Sequence, residues 1–218
     1  MLGAIVPDPA TYALFLGAAV ALILTPGPDT LFILSRSVED RGVGVRAALG
    51  VAVGVLFHTL AATVGLAVVY RTVPGAAQVV RYVGGAYLVY LGVRTVRGAA
   101  ADVADAESSD GASDAASDGG AAATDGFREG FLVNALNPQV ALFFLAFLPG
   151  FASGPAATAQ MGLLGATYAA ITAGYLVAVA VAADAAAALV RSPATGRRID
   201  RVAGAILVAL GAWVAVGG

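Results

Sequence analysis

Six apolar runs, at about residues 10–35, 43–70, 74–98, 127–152, 160–190 and 199–217, take up nearly the whole chain. A helix needs roughly 20 predominantly apolar residues to cross the hydrocarbon core of a bilayer. In lipid every backbone N–H and C=O must be satisfied within the protein, so runs of this length read as helices. Only 12% of the 218 residues are charged, against roughly 25% in soluble domains. The sequence therefore predicts an all-α polytopic membrane protein with six transmembrane helices. The second and fifth runs exceed the minimum and are expected to tilt or to extend into the interface. Met1 to Pro9 lacks the basic start of a secretory signal peptide, so the first run is expected to persist as a span.

Between the third and fourth runs lies a different composition. Residues 99–126 are mostly Ala, Ser, Gly and Asp, with Asp102, Asp105, Glu107, Asp110, Asp114, Asp118 and Asp125 spaced through them. Such a tract cannot bury enough apolar surface to offset the entropy of ordering. It reads as an acidic, disordered linker between residues 1–98 and 127–218. Dense Asp without any lysine is also what work in a salty cytoplasm would favour. Arginine placement sets the orientation. Arg36, Arg41 and Arg46 fall after the first run, Arg94, Arg97 and Arg128 flank the linker, and Arg191, Arg197, Arg198 and Arg201 lie between the last two runs. Ten of the twelve arginines thus sit on one side, with only Arg71 and Arg81 in the second loop. Positive charge stays inside, so the linker is expected in the cytoplasm and both termini outside the cell membrane.

Two of the runs are interrupted. The first contains Leu24-Thr25-Pro26-Gly27-Pro28-Asp29-Thr30, and the fourth contains Asn134-Ala135-Leu136-Asn137-Pro138-Gln139. Proline removes a helix donor and clashes with the preceding turn, and it pushes the residue before it out of the helical region. Each interruption opens a group of three runs. Three is odd, so the two groups must cross the membrane in opposite senses, as two inverted three-helix repeats with helices one and four broken. Breaks at corresponding positions of such repeats are the sequence pointer to a secondary transporter's site. The alternative is a pair of proline kinks that only shape packing.

These interruptions also carry a resemblance. Leu24 to Thr30 followed by Leu31-Phe32-Ile33-Leu34-Ser35-Arg36-Ser37 resembles the opening motif of the lysine and homoserine/threonine exporter family, LysE/RhtB. The glycine-rich stretch from Arg41-Gly42 through Gly50 and Gly54 to Gly65-Leu66-Ala67 is similar to that family's second span. Phe127-Arg128-Glu129-Gly130-Phe131-Leu132-Val133-Asn134-Ala135-Leu136-Asn137-Pro138, then Ala141 to Pro149, resembles its fourth. The resemblance implies export of amino acids or similar metabolites, driven by the proton gradient, through a six-helix fold. One position departs from it. The family commonly has lysine after Asn-Pro, and here the residue is Gln139.

Ionisable groups within a span are costly and are functional candidates by default. At ~1.5 Å per residue, Asp29 lies about 10 Å inward from Arg36, Asp184 is at a similar depth from Arg191, and His58 is about 18 Å from Arg46. Asp29 is suited to bind an ammonium group or to carry a proton, or else it caps the helix restarting after the break. Asp184 is a second proton-coupling candidate, or it reaches the interface. His58, the only histidine, is suited to proton exchange or to a hydrogen-bonded packing role. Asn134 and Asn137 can contact substrate or satisfy backbone freed by Pro138. Substrate binding is thus expected at Pro26, Gly27, Pro28, Asp29, Asn134, Asn137, Pro138 and Gln139, and proton coupling at Asp29, Asp184 and His58. Gly84-Gly85 and Gly50-x-x-x-Gly54 can serve internal helix packing or a homodimer face.

Other classes fit less well. With no cysteine, one histidine and no HExxH, metal or redox catalysis lacks its ligands, so neither enzyme nor cofactor is expected. No basic patch with interleaved aromatics marks a nucleic-acid partner. The rivals to a proton-coupled exporter are a passive channel and an exporter of another small solute such as a metal ion.

Overall fold

The computed structural model describes residues 5–25, 27–97, 125–183, 185 and 193–216. Every regular element among them is helical. Helix α1 (Pro9–Leu24) starts at an Asp8 cap whose carboxylate accepts the N–H groups of Ala10 and Thr11, with Pro9 in the first turn where it costs no hydrogen bond. Helix α2 (Pro28–Glu39) follows at a bend of 51°. A single residue, Asp40, separates α2 from α3 (Arg41–Thr72) and caps the latter by accepting the Val43 N–H at 2.8 Å. After a turn through Gly75, at φ 79°, comes α4 (Ala76–Val96). The left-handed backbone there favours glycine.

Helix α5 (Asp125–Ala135) and helix α6 (Pro138–Phe147) meet at a bend of 60°. Short 3₁₀ turns then lead into α7 (Ala157–Val181), and α8 (Pro193–Val216) completes the chain. Asp125 and Gly126, expected in the linker, belong to α5. Gly126 lies so close to α3 that an added Cβ would stand 2.7 Å from the Val43 carbonyl oxygen, and this tertiary contact extends the helix past its apolar run. The remainder of the linker, 99–124, lies outside the described residues.

Among the described residues two helices are long and apolar enough to cross a bilayer, Arg41–Val69 and Gly154–Val181, and up to four spans result if each bent pair is one. Helix α4 carries Arg81, Arg94 and three tyrosines in 21 residues, and the apolar part of α8, Arg201–Val216, is shorter than these.

Packing runs α3 along α5 and α7, α4 along α8, and α2 into the angle between α3 and α7. Glycines set the closest approaches. A Cβ on Gly85 would meet the Gly211 carbonyl at 2.7 Å, and one on Gly92 would meet that of Gly204 at 2.6 Å. Gly50 and Gly54 face Phe127 and Asn134 of α5, and Gly84 faces Ala146. These small residues are therefore used inside the chain, the packing alternative of the sequence reading.

Candidate functional site

Each break solves the same backbone problem locally. In a continuous helix the Leu22 carbonyl would accept from residue 26, but that residue is proline and has no N–H. The Thr25 N–H takes its place at 3.1 Å. The Ala21 carbonyl thereby vacated receives the Thr25 hydroxyl at 3.0 Å. At the second break the Asn134 carbonyl would accept from residue 138, again proline. It receives the Asn137 N–H at 3.0 Å and, from another helix, His58 Nε2 at 2.9 Å. A carbonyl only accepts, so this imidazole nitrogen carries the proton. Asn137 caps α6, its side-chain oxygen accepting the Val140 N–H at 3.4 Å.

The two breaks meet. Asn134 Nδ2 donates to Asp29 Oδ2 at 2.8 Å, tying the first residues of α2 to the last turn of α5. One to two turns further along the same antiparallel pair, Arg36 binds Glu129 through Nε at 2.9 Å and through Nη2, and binds Glu39 at 3.0 Å. Glu129 is thus the ion-pair partner of a residue on the other broken segment.

Between the breaks lies a cavity of about 200 Å³. Thr25, Gly27, Pro28, Asp29 and Thr30 line it from the first break, and Asn134 and Asn137 from the second. Tyr168, Thr172 and Tyr175 face it from α7, while Leu22, Val55, Leu91, Phe143, Phe144 and Leu207 supply apolar wall. Asp29 Oδ1, Asn134 Oδ1 and Thr172 Oγ1 are buried there without a hydrogen-bond partner. An α2 N-terminus capped by Gly27, which offers no side-chain acceptor, also points its first turn at this space. Such a helix start suits a carboxylate.

Of the residues expected to bind substrate, Gly27, Pro28, Asp29, Asn134 and Asn137 come together here. Pro138 and Gln139 begin α6, described in their backbone alone. Pro26 and Asp184 lie outside the described residues. His58 is buried behind Asn134, between Phe57 and Phe144, with Nε2 on the Asn134 carbonyl. Tyr168, Thr172 and Tyr175 escaped the sequence reading, although their i, i+4, i+7 spacing within an apolar run was the signal that could have found them. No group of three His, Cys, Asp or Glu suited to a metal ion occurs among the described residues.

An aromatic ladder closes one side of this cavity. Phe143, Phe147 and Phe151 follow one another at centroid distances of 4.7 and 4.9 Å, with Phe15 against Phe147 at 5.3 Å. Beyond Phe151, which meets Trp213 at 5.4 Å, lies a second cavity.

Known proteins are similar to part of this sequence. An uncharacterized membrane protein of Pseudomonas aeruginosa is 36% identical over 149 residues, which are 65% of this chain and 65% of that one. The leucine efflux proteins of Salmonella typhimurium and Klebsiella pneumoniae are each 33% identical over 142 residues, 64% of this chain and 62% of theirs. The matches thus span less than two thirds of the relatives' own length. No solved structure matches significantly. The model of the LysE type translocators matches residues 20–218, from the last turns of α1 through α8. The chain is a membrane protein belonging to the LysE type translocator family.

Proposed function

We propose that this protein exports amino acids with small apolar side chains across the cell membrane, as a proton antiporter working by alternating access. The observation that carries the reading is the Asp29–Asn134 hydrogen bond, which joins two helix breaks inside one cavity. A carboxylate, amide groups and an uncapped helix start converge there, the functional groups that an α-amino acid's ammonium and carboxylate require. The surrounding Leu, Val and Phe side chains suit an aliphatic side chain, and the leucine efflux relatives favour that class.

The architecture in this reading is six spans in two inverted three-helix repeats: α1 with α2, α3 and α4, then α5 with α6, α7 and α8. The glycine seam between α4 and α8 supports it. Gly85 and Gly92 are seven residues apart, as are Gly204 and Gly211, and they pair crosswise, 85 with 211 and 92 with 204. Equivalent residues exchanging partners is what a two-fold relation between the halves produces. Arginine-rich loops and residues 99–126 face the cytoplasm and both termini face outside. In this state the aromatic ladder is the closed barrier, and its opening with closure of the Arg36–Glu129 end would move the site to the other side.

Asp29 carries the coupling, exchanging a proton when the amino acid leaves. Purified protein in vesicles loaded with radiolabelled leucine should release it faster when protons flow in against the efflux. Asp29→Asn keeps the size and the Asn134 contact but removes the charge, and should slow efflux at least tenfold and abolish the response to the gradient. Wild-type efflux indifferent to an imposed pH gradient refutes the antiport; rapid, gradient-driven efflux by Asp29→Asn refutes the role of this residue.

A further inference from the structure

The second cavity, about 320 Å³, lies at the end of the bundle where α3 finishes and α4 begins, away from the Arg36–Glu129 end. It is lined by Asp8 and Thr11 of α1, Gln78 and Arg81 of α4, Ser153, and Trp213 of α8. Its two charges are opposite in sign, yet no ion pair joins them: among the described residues the pairs are those of Arg36 with Glu39 and Glu129. Arg81 Nε is buried without a hydrogen-bond partner. The rest of that guanidinium makes only a long 3.4 Å contact with the Tyr82 hydroxyl and lies 5.1 Å from its ring centre. An arginine presents a planar fork of donors matched to a carboxylate, and this fork is left largely unused. Asp8 spends one carboxylate oxygen on the Ala10 and Thr11 N–H groups. The Thr11 hydroxyl and these N–H groups hold its carboxyl below the ordinary range, which keeps it ionised.

An unpaired cation and anion that line one cavity without touching are complementary to a ligand bearing both charges. We propose that this cavity is a second binding site, for the zwitterionic backbone of an amino acid, with Arg81 taking the carboxylate and Asp8 the ammonium. The charge arrangement stands on its own; the choice of an amino acid over another zwitterion rests on the export reading. Because the aromatic ladder from Phe143 to Phe151 separates the two cavities, the second site is where solute pauses after passing the barrier. It recognises the backbone and is indifferent to the side chain, unlike the site at the breaks.

Trp213 is the only tryptophan and lines this cavity, so its fluorescence reports on occupancy. Full-length protein in detergent, titrated with L-alanine, should give a saturable change in Trp213 emission. Arg81→Gln and Asp8→Asn should each weaken the midpoint at least tenfold, while Arg81→Lys, which keeps charge but loses the fork, should fall between. Propionate and ethylamine, each with one of the two charges, should bind at least tenfold more weakly than alanine. Asp29→Asn should leave the titration unchanged. Asparagine caps a helix as well as aspartate does, so Asp8→Asn stays informative even where Arg81→Gln folds poorly. The proposal is overturned by an absent response to alanine, by an unmoved midpoint in Asp8→Asn, by propionate matching alanine, or by loss of the response in Asp29→Asn. Vesicle efflux decides the export reading separately, so the two fail independently.

Discussion

Replacing His58 by phenylalanine removes one donor and little else. The ring stays between Phe57, at 5.6 Å, and Phe144, at 6.3 Å, but the Asn134 carbonyl loses the Nε2–H that compensates for Pro138. The Asn137 N–H remains, so the carbonyl keeps one partner at 3.0 Å. Losing a hydrogen bond whose acceptor keeps another partner costs ~0.5–1.5 kcal/mol, which at roughly 2–4 °C per kcal/mol for a chain of this size lowers the melting temperature by about 1–6 °C. The test lies in the double mutant. Pro138→Ala restores an N–H at the position from which a continuous helix would serve Asn134, and removes a residue ~3 kcal/mol less favourable than alanine inside a helix. In that background the imidazole is redundant, so His58→Phe should cost less than half as much. A coupling of ~0.5–1 kcal/mol between the two sites is within the range for residues sharing a hydrogen-bond partner. Melting temperatures of the four proteins, purified in one detergent, complete the cycle. Equal losses in both backgrounds would refute the claim that His58 stands in for the amide that proline lacks.

Gly92→Ala should lower the melting temperature, since its Cβ would sit 2.6 Å from the Gly204 carbonyl oxygen and force α4 from α8; overpacking of this kind costs ~1–3 kcal/mol. Gly17→Ala is the control, with nothing within 4 Å of the added methyl, and should melt at or slightly above the wild-type temperature; similar losses in both would count against the glycine seam. Reporter fusions should place residues 36–46, 99–126 and 191–201 inside and both termini outside, and a cytoplasmic N-terminus would overturn the arginine argument.

What could be read from the sequence was whatever has a fixed local signature. Proline has no N–H in any context, so the breaks at 25–27 and 136–137 were visible as strings of letters. Asp29 stood out because a carboxylate in an apolar run is rare. Hydroxyls are not rare there, because they can return their hydrogen bond to their own helix. Thr59, Thr95 and Thr167 do this, donating to the carbonyls of Val55, Leu91 and Leu163 at 2.8–2.9 Å. Thr172 does not, and lines the cavity with its oxygen unpartnered. The threonine alone does not show which of these it is; only the i, i+4, i+7 spacing with Tyr168 and Tyr175 marks Thr172. Partners across helices were hidden for the same reason: Asn134 joins Asp29 across 105 positions and His58 across 76. The glycines of the α4–α8 seam were legible as small residues, but which helix they admit depends on the tertiary register.

The distribution of unsatisfied groups separates fold from function. At each break one carbonyl that loses its donor to proline finds a replacement, Leu22 from Thr25 at the first and Asn134 from Asn137 and His58 at the second. Among the described residues, most of the buried side-chain atoms left unpaired gather at the cavities: Asp29, Asn134 and Thr172 at the first, Arg81 at the second. Each unpaired buried group costs ~1–3 kcal/mol, a penalty that apolar replacements would remove. A solute that supplies the missing partners relieves it, and one without matching polar groups does not. In the proposed export reading, selectivity therefore rests on these unpaired side-chain atoms facing the cavities.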